Sequence, residues 1–129
     1  FLAQVAGSPA SVAADGLGLI VFAWSADFPA PSACLAPLVD SADIRAEGSP
    51  NPAGLRDADT DRAVAAAERT LDPAAAAVAW RQVATAAMRT AGYAPLVEDR
   101  VLLIGSAQLR NVYVQPAYRG YDVTSLGIR

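Results

Sequence analysis

Few residues in this chain have the means to do chemistry. Its 129 residues include ten basic side chains, all of them Arg, and no His or Lys. That removes imidazole catalysis, lysine Schiff bases and most zinc-site recipes in one step. Ser25, Ser32, Ser41 and Ser49 therefore have no imidazole to activate them, and no spacing gives a pair such as Asp27 and Asp40 separate acid and base roles. No catalytic residue and no cofactor is expected. Asp57, Asp59, Asp61 and Glu68 match the oxygen-bearing positions of a calcium loop, but Arg62 stands where the sharp turn needs Gly and brings a charge like that of the metal. The same residues read as a helix start, with carboxylates at the positive end of the dipole, and no metal ligand is expected. Cys34 is the sole cysteine, so an intrachain disulfide is impossible, and it reads as a small buried hydrophobe.

The remaining chemistry lies at the end of one apolar run. Leu17–Trp24 contains no charge and suits a strand covered on both faces, in a parallel or mixed sheet. It delivers the Trp24 indole and the Asp27 carboxylate into a loop, Ser25–Ser32, stiffened by Pro29 and Pro31. Strand ends of this kind build ligand sites. Trp24 also reads as ordinary core packing, and Asp27 as a cap on the helix that follows or a partner of loop amides. Asn51 stands in a second candidate region, the long polar connection over residues 40–57 with its Gly- and Pro-dense centre Gly48–Gly54. So long a loop is more often functional than idle, although an Asn there also bonds its own backbone.

The elements that must position these residues are legible in outline. Residues 34–39 have room for one or two helical turns, limited by Pro37. A helix is expected over Thr60–Leu71, and a longer one from Pro73 to about Ala91, capped by Asp72 and stopped by Gly92 in a left-handed conformation. On the longer helix Trp80, Val83, Ala84, Ala87, Met88 and Ala91 form one apolar stripe, expected to pack on the sheet, while Arg81, Gln82, Thr85 and Arg89 meet water. Branched, Gly- or Pro-bounded runs at Ala94–Val97, Val101–Ile104 and Val112–Gln115 read as strands.

Length allows one core, so a single domain over residues 1–129 is expected. No run approaches the ~18 apolar residues of a membrane helix. Residues 1–99 carry a net charge of −6 and residues 100–129 one of +3, but the four late Arg residues lie far apart, so nucleic acid is not an expected partner.

The order of these parts resembles the C-terminal portion of family 5 extracellular solute-binding proteins, the peptide and nickel receptors of bacterial ABC importers. The resemblance rests on Trp24-Ser-Ala-Asp-Phe-Pro-Ala-Pro-Ser32, then Asn51 in its loop, Asp61 and Asp72-Pro73 at helix starts, Ala94-Pro-Leu96, and the closing Arg119–Arg129. Ala30 departs from the family string by lacking a polar side chain. The resemblance implies an α/β fold, part of the C-terminal lobe of a periplasmic-binding-protein-like type II fold, with a short mixed sheet flanked by helices. It also implies that the chain is a fragment of a longer, two-lobed and monomeric receptor that captures a peptide or other small solute for an ABC permease. Such a receptor is extracytoplasmic, at the cell surface or in the periplasm, and meets the membrane only through a lipid anchor that this stretch does not contain. Asp27 then meets a peptide's terminal ammonium, Trp24 forms an apolar wall, Asn51 contributes from its loop, and half a clamshell binds poorly alone. The alternative from another class is a stand-alone α/β protein-interaction module without a small ligand.

Overall fold

The computed structural model describes residues 1–115 and 119–129. A π-type turn at Leu2–Ala6 leads into α1, Pro9–Ala14, which Ser8 caps through its side chain. Next come α2, Pro31–Val39, a 3₁₀ turn at Ser41–Asp43, α3, Ala58–Glu68, and α4, Pro73–Arg89. Among the described residues, four two-residue strands close the chain: β1, Leu109–Arg110; β2, Val114–Gln115; β3, Gly120–Tyr121; and β4, Gly127–Ile128.

The core is helix on helix. Val39 of α2, Val64 and Ala67 of α3, and Trp80, Val83 and Ala87 of α4 are buried together, with Leu35, Leu38, Leu55 and Tyr93 packed around them. The apolar stripe of α4 thus faces α2 and α3 rather than a sheet. Its C-terminal end runs out of the core, since Met88 is 40% exposed. Arg81, Gln82, Thr85 and Arg89 are exposed as the helical period requires.

Capping follows the sequence closely at helix starts. The Asp72 carboxylate accepts from Ala75 N at 2.8 Å, and Pro73 takes the first helical position, where a missing N–H is no loss. Asp57 caps α3, accepting from Thr60 N at 2.8 Å and Thr60 Oγ1 at 2.7 Å, so this helix begins and ends earlier than its apolar spacing predicts. The α4 stop differs too. Ala91, not Gly92, carries the left-handed φ of 55°.

The mixture of helices and short strands agrees with the expected class, but the strands are placed differently. The sheet part consists of two antiparallel ribbons, β1 with β4 and β2 with β3, in registers Leu109↔Ile128 and Val114↔Tyr121. Of the expected strands, only the end of Val112–Gln115 enters a ladder. Leu17–Trp24, Ala94–Val97 and Val101–Ile104 pair with no strand among the described residues. A strand needs a second backbone about 4.8 Å away, and the apolar content of the run does not supply one. The first of these runs also buries one side only: Ile20, Phe22 and Trp24 are half-buried, whereas Leu19 is 87% and Val21 73% exposed. Its inner side chains pack inward, with Phe22 edge-on to Tyr93 at 6.4 Å between ring centroids.

Helix α2 passes through Pro37 instead of stopping at it. A proline inside a helix withholds the N–H that would bond the carbonyl four residues back, here that of buried Ala33. The Trp24 indole Nε1 donates to that carbonyl oxygen at 3.2 Å.

Candidate functional site

The loop after the extended apolar segment enters α2 without a side-chain cap, since Ala30 occupies the N-cap position. Asp27 therefore does not cap that helix. Its exposed carboxylate has no hydrogen-bond or ion-pair partner among the described residues, whose ion pairs are Asp43–Arg45 and Asp59–Arg62. It opens onto an open cleft of about 510 Å³ walled by Phe28, Ser32 and Pro37 on one side and Glu68 and Thr70 on the other, with Trp80 at its floor. Three elements converge there: the loop and first turns of α2, the last turn of α3, and the middle of α4. The lining mixes polar and apolar groups and is open on one side, so it can supply one wall of a small-molecule site but does not enclose one.

Trp24 lies beside this cleft and does not line it. Its one N–H is committed to Ala33, so the indole offers a ligand only ring surface.

Asn51 occupies a different place. It is 1% exposed, and its amide is consumed by the loop that contains it. Nδ2 donates to Asp40 O at 3.2 Å and to Leu55 O at 3.1 Å, while Oδ1 accepts from Leu55 N at 3.0 Å. The Tyr93 hydroxyl lies 2.5 Å from Leu38 O and 3.1 Å from Asn51 Oδ1, and donates its single proton between them. Burial pushes the Tyr93 phenol up to about 12, which keeps that proton in place at ordinary pH. The structure thus brings Trp24 and Asp27 to one end of the fold and gives Asn51 the work of folding residues 40–57 onto α2 and Tyr93.

The acidic run at the start of α3 is divided among separate partners. Asp57 caps the helix, Asp59 pairs with Arg62, and Asp61 accepts from Ser41 N at 3.0 Å and Ser41 Oγ at 2.6 Å. The Thr60 hydroxyl and amide hold the Asp57 carboxyl below its ordinary value. Among the described residues no three His, Cys, Asp or Glu side chains gather as a metal site. Among the described residues no helix is long and apolar enough to cross a membrane.

Sequence reasoning weighed Glu68 only against a calcium loop and Trp80 only as core, and did not foresee that they and Thr70 line this cleft. Glu68 falls on the same helical spacing as Val64 and Ala67, which was the available signal: an acid continuing an apolar face.

The helices and paired ribbons match a fragment of a solute-binding protein, the class that the order of sequence motifs resembles. The solved structure that shows this is "Clavulanic acid biosynthesis oligopeptide binding protein 2", 39% identical over 98% of this chain with a TM-score of 0.93. This chain spans 23% of that protein's length. No family model and no curated protein matches the chain.

Proposed function

We propose that this chain forms one wall of a peptide-binding cleft in an extracytoplasmic solute-binding protein that serves an ABC importer. The observation that carries the reading is Asp27, an acid with no structural partner among the described residues, on the rim of a cleft walled by Phe28 and floored by Trp80. A free peptide ends in an ammonium, and a carboxylate on a partly apolar wall binds it by a charge-assisted hydrogen bond that strengthens as a covering body removes water. The likeness to a protein named for oligopeptide binding supports the same solute class. Affinity then comes from enclosure between two lobes, and no bond is made or broken, so the protein is not an enzyme. The apolar side chains left open on Leu19 and Val21 support a second body that covers the outer side of the extended segment. In this reading the whole protein is a monomer, lipid-anchored outside the membrane, that passes its solute to a permease.

Mass spectrometry of small molecules that co-purify with the full-length protein tests the reading, together with calorimetry on Asp27→Asn. Recovered peptides, bound roughly tenfold more weakly by the variant, are expected for a charge-assisted contact to the ammonium. Recovery of a neutral glycan or a metal complex would discard it.

A second reading, a protein-interaction module, draws on the exposed Leu96, Val97, Leu102 and Ile104. It requires a protein partner retained on this surface and no small solute at all.

A further inference from the structure

Between Gly18 and Asp27 no backbone N–H or C=O has a hydrogen-bond partner among the described residues, and the Trp24 indole is the stretch's one polar anchor there. The side chains nonetheless alternate as those of a strand do. Ile20, Phe22 and Trp24 turn inward and are half-buried, while Leu19, Val21 and Ala23 stand exposed on the other side. An extended path with period-two burial and unbonded amides along both edges is a strand without its neighbours. Water can satisfy those amides, but it also meets Leu19 at 87% and Val21 at 73% exposure, where a connecting loop would present polar groups. A run apolar on both faces suits the inside of a sheet that has a layer on each side. One layer is present: the core of α2, α3 and α4 with Tyr93, on which Phe22 packs.

The absent neighbours have a source. This chain spans 23% of the solved relative and matches it over 98% of its own residues with a TM-score of 0.93, so the extended path is kept within a much longer protein. A protein of that length has ample chain to supply both neighbouring strands and a second layer.

We propose that residues 18–24 are an inner strand of a sheet, paired on both edges with strands from the remainder of a longer protein, whose apolar layer covers Leu19 and Val21. This holds whatever the solute is, since it uses the backbone and the length relation rather than the cleft. Pairing also fixes the strand end at Trp24, from which the loop carrying Asp27 departs.

Amide hydrogen exchange on the full-length protein, resolved by residue, tests the pairing. Consecutive amides from Leu19 to Ala23 are expected to exchange on the order of a hundredfold or more slowly than in an unbonded chain, because an inner strand donates to its two edges in turn. Cysteine labelling tests the cover. In a Cys34→Ser background, Leu19→Cys and Val21→Cys should react with a water-soluble maleimide roughly tenfold more slowly in the folded full-length protein than in urea. Fast exchange from Leu19 to Ala23 overturns the pairing, and slow exchange at alternate residues overturns the inner placement by making this an edge strand. Cysteines that react as fast folded as unfolded overturn the cover. Protection that rises with protein concentration, alongside a dimer in sedimentation, gives the surface to a second copy and overturns the source.

Discussion

The Trp24 indole N–H donates to the carbonyl of Ala33, the oxygen that Pro37 has no N–H to satisfy within α2. One residue of the extended segment therefore supplies what a proline four positions further along the helix withholds. This explains how α2 continues past Pro37, and why a large aromatic stands at the end of the apolar run. The bond also fixes the loop from Ser25 to Ala30 between two anchored points, Trp24 and the start of α2. Asp27 lies midway along that loop, so its position on the cleft rim depends on Trp24 without the indole touching the cleft.

Trp24→Phe keeps most of the ring and deletes the donor. An orphaned buried carbonyl costs about 1–3 kcal/mol, and a loss in that range is expected in urea denaturation. In a Pro37→Ala background an intrahelical N–H becomes available to Ala33, so the same substitution should cost about 1 kcal/mol less. An equal cost in both backgrounds would show that ring packing, not the hydrogen bond, sets the value of Trp24.

Asn51 and Tyr93 form a second bridge, between the long polar loop and the chain after α4. Because Asn51 is buried with both ends of its amide in use, Asn51→Ala leaves the backbone groups of Leu55 and Asp40 unpaired and should cost about 2–4 kcal/mol. Tyr93→Phe removes only the hydroxyl that lies between Leu38 O and Asn51 Oδ1, and about 1 kcal/mol is expected. Denaturation midpoints for the two variants should keep that order.

The pH dependence of stability has two limbs of opposite sign. Tyr93 holds its proton up to about 12 when folded, against 10.0 for a free phenol, so in that interval the unfolded chain releases a proton that the folded chain keeps. Stability must then fall as pH rises from about 10 through about 12. At the other extreme Asp57 and Asp122 are held below the ordinary 3.8, chiefly by hydrogen bonds from Thr60 and Thr124, so their contribution is present above that pH and is lost as pH falls below it. Denaturation across pH should show the alkaline limb flatten in Tyr93→Phe, and carboxyl NMR titrations should place Asp57 and Asp122 among the last acids to protonate.

Local rules in the sequence were legible where one residue and its near neighbours decide the outcome. Asp72 followed by Pro73 announces the start of α4, and the spacing of Trp80, Val83 and Ala87 announces its buried face. Pairing was not legible, because a run such as Leu17–Trp24 states that it is extended and apolar but not which backbone lies beside it. The same limit applied to the site. Asp27 could be placed on a loop, whereas the meeting of that loop with the end of α3 and with Trp80 is a tertiary event with no local signal. Asn51 shows the converse: a polar residue in a Gly- and Pro-rich loop reads alike whether it points outward to a ligand or inward to its own backbone, and only burial distinguishes them.

The end of α4 gives a last test, of backbone rather than side-chain energetics. Thr90 closes the helix, its hydroxyl donating to Ala87 O at 2.6 Å, and Ala91 then turns left-handed at φ 55°. For a residue with a Cβ that conformation costs about 1 kcal/mol, which glycine avoids. Gly92 stands one position too late to relieve it, and a Cβ added there would meet Thr90 Oγ1 at 3.3 Å, tighter than ordinary contact. Ala91→Gly should therefore stabilise the chain by no more than about 0.5 kcal/mol, since the relieved strain only narrowly exceeds the ~0.4–1 kcal/mol that glycine's greater freedom when unfolded costs. Gly92→Ala should destabilise it. If thermal melts ranked the two variants in the reverse order, the left-handed turn would lie at residue 92, where the sequence alone had pointed.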